Sequence, residues 1–283
     1  MKKAISTTLV FLCVLWSVPA VASVDTETLF EPWGELLERY LEEKDLDGGG
    51  LVTAFDYEVA LGDPEAEALL EQQRRKLADV DPDRIDEKYE AIAFWLNAYN
   101  FFMVDYILEN RVGGELIDSV WDYGGRYNPF RDSVFTRESF EIGGRKYSLD
   151  EMEKGILLGD EFRERGWKDA RVHFAVNCAS VGCPPLREEY YTGDNTEILL
   201  EENTRRAFLT DRHLTFDNDT LKLTSVIRWY REDYEEEAGT IRDWVMRYVD
   251  GELRDRVSAA GRIDYLYYDW SLNRPENFPE FGD

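Results

Sequence analysis

The segment from Arg171 to Leu186, RVHFAVNCASVGCPPL, gathers the side chains best suited to thiol or acid–base chemistry. It holds His173, one of two histidines, and Cys178 and Cys183, two of three cysteines. Cys178 and Cys183 lie five apart across a turn containing Ser180 and Gly182, and paired cysteines bridge in an oxidising compartment. A ring this small restrains the unfolded chain by only about 2 kcal/mol, so its main effect would be to pin the loop. A second chemistry is a cysteine nucleophile, Cys178 or Cys183, with His173 as its base; it needs a thiolate beside an imidazolium or a helix N-terminus. Residues 171–177 alternate, with Val172, Phe174 and Val176 on one face, and this predicts a strand. On a straight strand His173 and Cys178 would point to opposite faces, so the pair requires a turn that begins at Asn177. A third chemistry, metal binding, falls short: two cysteines and one histidine are fewer than the four ligands of structural zinc. His213, in an Asp-Arg-His turn, is expected to be solvated. No metal and no cofactor are expected.

Other polar residues suggest a cleft. Asn97 and Asn100 lie three apart in FWLNAYN and share one face of a helix; buried, they must find partners, in loop backbone or in a ligand. Asp269 closes a late predicted strand. With His173 and Asn177, these residues form the expected binding set. The run Asp45-Leu46-Asp47-Gly48-Gly49-Gly50 starts like a calcium loop but lacks a side chain at the fifth position and a glutamate at the twelfth; a turn after a helix accounts for it better. No glycine-rich phosphate loop and no Gly-x-Ser-x-Gly elbow is found.

The elements that must position these residues begin with helices. Apolar residues recur at three- and four-residue spacing over 27–44, predicting an amphipathic helix. Asp63-Pro64 opens a second. A third runs from about Ile85 to Glu109, with a stripe wide enough for a central, buried helix. Then the period changes. Residues 140–147 read as a hairpin around Gly143-Gly144, Ser148 and Glu151 open a helix to about Leu158, a helix follows over 196–210, and 214–223 read as a second hairpin. Two short helices near 225–231 and 240–249 lead to a strand over Ile263–Asp269. Helices first and mixed elements after, without a βαβα rhythm, predict an α+β fold: a helical N-terminal part, about 27–110, packed on a small, mainly antiparallel sheet.

Composition narrows the function. The formal net charge is −26, from 59 acidic and 33 basic residues. Such a surface repels nucleic acid and anionic lipid, so no nucleic-acid partner is expected. The aromatic content, 14%, supports a packed core rather than disorder. Lys2 and Lys3, an apolar run from Leu9 to Val18 and Ala20-Val21-Ala22 predict a signal peptide, residues 1–22, cut after Ala22. Its run of about ten residues is too short to span a bilayer. The expectation is a single domain over 23–283, periplasmic or extracellular, without a membrane span.

Five ordered blocks, FWLNAYN, SLDEMEKGIL, HFAVNCASVGCPPL, IRWYREDY and YLYYDWSLN, resemble the domain of unknown function 547 family over about residues 30–275. Members look like exported bacterial proteins or segments of larger plant proteins associated with leucine-zipper regions. The resemblance implies one domain and export, and no particular reaction. A looser, fold-level analogy is to papain- and transglutaminase-like enzymes: central helix (Asn97, Asn100), strand (His173), late strand (Asp269), but with no cysteine on the helix. The leading expectation is a binding or scaffold-type domain for an unknown ligand or protein, with a polar cleft. The alternative is a hydrolase or acyl-transferase using His173 with Cys178 or Cys183, and Asp269 in support.

Overall fold

The computed structural model describes residues 24–125 and 132–282; the expected signal peptide lies outside the described residues. The first helix, α1 (Thr26–Tyr40), starts where the Asp25 carboxylate accepts the Glu27 N–H, and it buries Phe30, Trp33, Leu36 and Leu37. It stops short of the expected residue 44. Leu41 is extended, and Leu41–Asp45 forms β1, antiparallel to β2 (Leu51–Phe55). The reason lies in the partner: β2 is buried along its whole length and offers a ladder that outweighs helical propensity. Gly48 and Gly49 close the hairpin with φ of 92° and 92°, where a side chain would be strained. The aspartate-glycine run is thus a hairpin turn, and the Asp45 carboxylate pairs with Arg206.

After α2 (Tyr57–Gly62), α3 (Pro64–Asp79) begins as expected, with Asp63 capping and Pro64 in the first turn. The central helix is α4 (Lys88–Glu109), with every residue from Ala91 to Leu108 buried. A helix apolar on all sides belongs in a core. Among the described residues α4 alone is long and apolar enough to cross a membrane, and that stretch is wholly buried in the fold.

The second half is built from short pieces: a hairpin of β3 (Phe140–Ile142) and β4 (Arg145–Tyr147), a π-helical turn over Glu151–Leu157, α5 (Asp160–Glu164), a 3-10 turn over Ala170–Phe174, and α6 (Thr196–Phe208). A second hairpin joins β5 (Leu214–Asp217) to β6 (Thr220–Leu223). Four short helices follow, α7 (Ser225–Trp229), α8 (Arg231–Ala238), α9 (Ile241–Val245) and α10 (Gly251–Ala259), and then β7 (Arg262–Tyr265). The fold is α+β. Among the described residues the expected small, mainly antiparallel sheet is divided into three: two hairpins and a three-stranded sheet in which β7 runs parallel to β6.

The expected strand over 171–177 is not formed. Val172, His173, Phe174 and Ala175 are all buried, so the alternation of residue types marked no inside and outside. With no neighbouring strand among the described residues, the backbone bonds locally, Ala175 and Val176 N–H to Val172 O, and the Asp169 carboxylate caps the turn at Arg171 N–H. Two cores result. One surrounds α4 and takes in α1, α3 and the β3–β4 hairpin. The other packs Phe174, Phe208, Tyr234 and Trp244 against β6.

Candidate functional site

The site is built outward from the π-helical turn. Ser148 Oγ accepts the Glu151 N–H, and one turn later the Leu158 N–H reaches the Glu153 carbonyl, five residues back. Gly159 makes this wide turn possible: a Cβ there would lie 1.9 Å from the Gly155 carbonyl oxygen. Wide turns of this kind are rare and recur at functional sites. Here the turn carries Glu153, only 4% exposed, into the interior.

Glu153 meets His173, whose side chain is fully buried. The ring Nδ1 lies 3.3 Å from Glu153 Oε1 and Nε2 lies 2.8 Å from Asp233 Oδ2, at the start of α8. The Tyr230 ring stacks on the imidazole at 3.7 Å between centroids. Lys168 Nζ reaches the other Asp233 oxygen at 2.7 Å. Burial alone would lower the His173 pKa, but the hydrogen bonds and charges of Asp233 and Glu153 outweigh it and raise it above 6.5. The Asp233 carboxyl is held down at about 2: burial opposes ionisation, and the hydrogen bonds from His173 and Lys168 win. Burial, reinforced by Glu153, pushes the Tyr230 hydroxyl well above its ordinary value. The floor thus favours the protonated imidazole, set between the Glu153 and Asp233 side chains under the phenol of Tyr230.

Above this floor opens a cavity of about 650 Å³, within the range of small-molecule sites. Trp121, Trp229, Tyr230, Tyr268 and Trp270 give it aromatic walls. Trp229 stacks on Trp270 at 5.6 Å, and Trp270 meets Trp121 edge to face at 4.9 Å. The charges balance locally: Asp150 pairs with Lys154 at 2.7 Å, Asp233 with Lys168, and Glu153 with His173. The bridge between Cys178 and Cys183 forms part of the remaining wall.

Of the residues expected to act, His173, Cys178 and Cys183 line this cavity; Asn97, Asn100, Asn177 and Asp269 do not. Asn97 accepts the Tyr191 N–H at 3.0 Å and donates to its carbonyl at 2.6 Å. Asn100 accepts the Asn177 N–H at 2.8 Å and donates to the Ala175 carbonyl at 2.9 Å. Asn177 donates to Pro184 O and accepts from Ala179 N–H. These amides brace the loop from behind. Asp269 is exposed and its carboxylate accepts the Ser271 N–H. His173 therefore takes its carboxylates from Glu153 and Asp233, and the papain-like order of helix, strand and late aspartate does not assemble around it. Both ring nitrogens are occupied and both sulfurs are bonded to each other, so no His–Cys pair is formed. His213, expected in solvent, is 2% exposed; burial and the nearby Arg212 cation drop its pKa to about 3. Among the described residues no group of three or more histidines, cysteines or carboxylates is placed to hold a metal ion.

Glu153, Tyr230, Asp233 and Lys168 were not singled out from sequence. The first three lie inside the blocks SLDEMEKGIL and IRWYREDY, and that was the available signal. No curated protein and no solved structure matches the chain. A family model does match residues 82–209, a narrower span than the five blocks, which takes in α4, the π-helical turn, His173 and the disulfide loop but not Tyr230 or Asp233. Over that span the chain resembles the family described as Protein of unknown function, DUF547.

Proposed function

We propose that the protein is an exported small-ligand-binding domain, acting in the periplasm or outside the cell, and that its ligand sits in the cavity over His173. The observation that carries this is the combination of aromatic walls with a charge-compensated floor. Each cavity carboxylate already has its cation, so the site makes no demand for a charged ligand. The rings offer flat apolar faces, and Tyr230, Tyr268 and the floor carboxylates supply polar contacts. This suits a neutral ligand with an apolar face and a few hydroxyl or amide groups, such as a sugar ring or a neutral aromatic. The N-terminal leader pattern and a bridged cysteine pair both favour an oxidising compartment.

Tryptophan emission reports on the site directly. Titration with a neutral disaccharide (maltose), indole, tetramethylammonium and acetate is expected to give saturable changes with the neutral probes only, weakened at least tenfold in Trp229→Ala. Saturation by the ions alone, no response to any probe, or equal affinity in Trp229→Ala would overturn the reading.

A further inference from the structure

We infer that the Cys178–Cys183 bridge is redox-active, opened and re-formed by exchange with a small thiol that enters the cavity. The first support is position: both cysteines line the cavity wall, Cys178 the more exposed and Cys183 only 7% exposed. The second is asymmetry of hydrogen bonding. Cys183 Sγ accepts the Cys178 N–H at 2.9 Å, whereas the Tyr268 hydroxyl lies 3.0 Å from both sulfurs. Tyr268 is buried, and burial raises its pKa, so the hydroxyl remains a donor. The Cys178 N–H is aimed at Cys183 alone and, with the Tyr268 hydroxyl free to turn to whichever sulfur carries the charge, stabilises a thiolate there, which makes Cys183 the better leaving group and the more exposed Cys178 the point of attack.

The third support is redundancy. The loop is already fixed without the bridge. Asn177 holds Ala179 N–H and Pro184 O. The loop N–H groups of Val181, Gly182 and Cys183 bond Ser271 O, Asp269 O and Ser180 O. A ring closed over so few residues adds little restraint, so opening it need not unfold the loop.

The step balances as follows. A thiolate RS⁻ attacks Cys178 Sγ; the S–S bond breaks and its electron pair stays on Cys183 as a thiolate, held by the Cys178 N–H and Tyr268 O–H. The product is a mixed disulfide, Cys178–S–S–R. A second RS⁻ attacks the R-side sulfur, releasing RSSR and the Cys178 thiolate. The two protons lost by the thiols pass to the two cysteines or to solvent, so RSH is oxidised and the protein reduced; excess RSSR runs the sequence backwards.

The test treats the oxidised full chain, without denaturant, with millimolar glutathione as probe, quenches with acid, and maps adducts by mass spectrometry. Expected are native-state reduction, a transient adduct on Cys178, and an unchanged far-ultraviolet circular dichroism spectrum. Tyr268→Phe keeps the ring and is expected to slow reduction about tenfold, the value of one hydrogen bond to a developing charge. Reduction only after urea unfolding, adducts on Cys183 instead, or an unchanged rate in Tyr268→Phe overturns the inference. The adduct position is read on the unmutated protein, so it stands even if the variant does not fold. Failure here leaves the binding of neutral probes untouched, and the two readings are separable.

Discussion

Asp233→Asn removes one of the two carboxylates that hold His173. The Asp233 carboxyl sits at about 2 in the fold against 3.8 unfolded, a gap of about 1.8 units or ~2.4 kcal/mol at full strength. Because the group is partly reached by solvent, with a side chain 19% exposed, we discount this to about 1–2 kcal/mol. The pH dependence separates the partners. A lowered acid contributes stability above its unfolded value of 3.8, and that contribution is lost as pH falls toward about 2. A raised base such as His173 contributes fully below 6.5 and loses its contribution as pH rises through the folded value. Lys168 keeps its bond to Asp233 on the alkaline side. Asp233→Asn is therefore expected to cost most near pH 5.5 and about 1 kcal/mol less at an alkaline pH above the folded His173 value, where the imidazole has lost its proton. Urea unfolding followed by tryptophan emission at both pH values measures this. An equal loss at the two pH values, or none near pH 5.5, refutes the ion-pair description of the floor.

Three further outcomes are expected. Asn100→Ala strands the Asn177 N–H and Ala175 carbonyl and should cost about 2–4 kcal/mol in urea unfolding, with the disulfide loop loosened in hydrogen exchange. Gly159→Ala drives a Cβ against Gly155 O; a loss of about 1–3 kcal/mol is expected, with a shift in the His173 ring resonances as Glu153 moves. Glu153→Gln keeps the shape of the side chain but removes one charge, so the His173 pKa should fall relative to the parent, read by histidine NMR titration.

Much of the scaffold was legible because local rules decided it. The Asp63-Pro64 start, the all-round apolar α4 and the hairpins at 140–147 and 214–223 need only their own residues. The bridge was legible from spacing and the expected compartment. The site floor was not. Glu153 and Asp233 lie 20 and 60 residues from His173, and among 59 acidic residues no local signal marks two of them. Residues 171–177 misled because alternation implies a strand only when one face meets solvent, and here every face is packed. Asn97 and Asn100 signalled real burial, but their partners are backbone groups behind the cavity wall. His213 resembled a turn residue by its neighbours, while its ring packs against Phe174 in the second core.

The measurement that bears most directly on the account is a long-range ¹⁵N–¹H spectrum of the imidazoles at pH 6.5. The sequence has only two histidines, so assignment needs a single His213→Gln variant. The predicted spectrum has one doubly protonated ring, His173 between Glu153 and Asp233, and one neutral ring, His213. Two neutral rings, or a charged His213 beside a neutral His173, would contradict the charge-compensated floor on which the binding proposal stands.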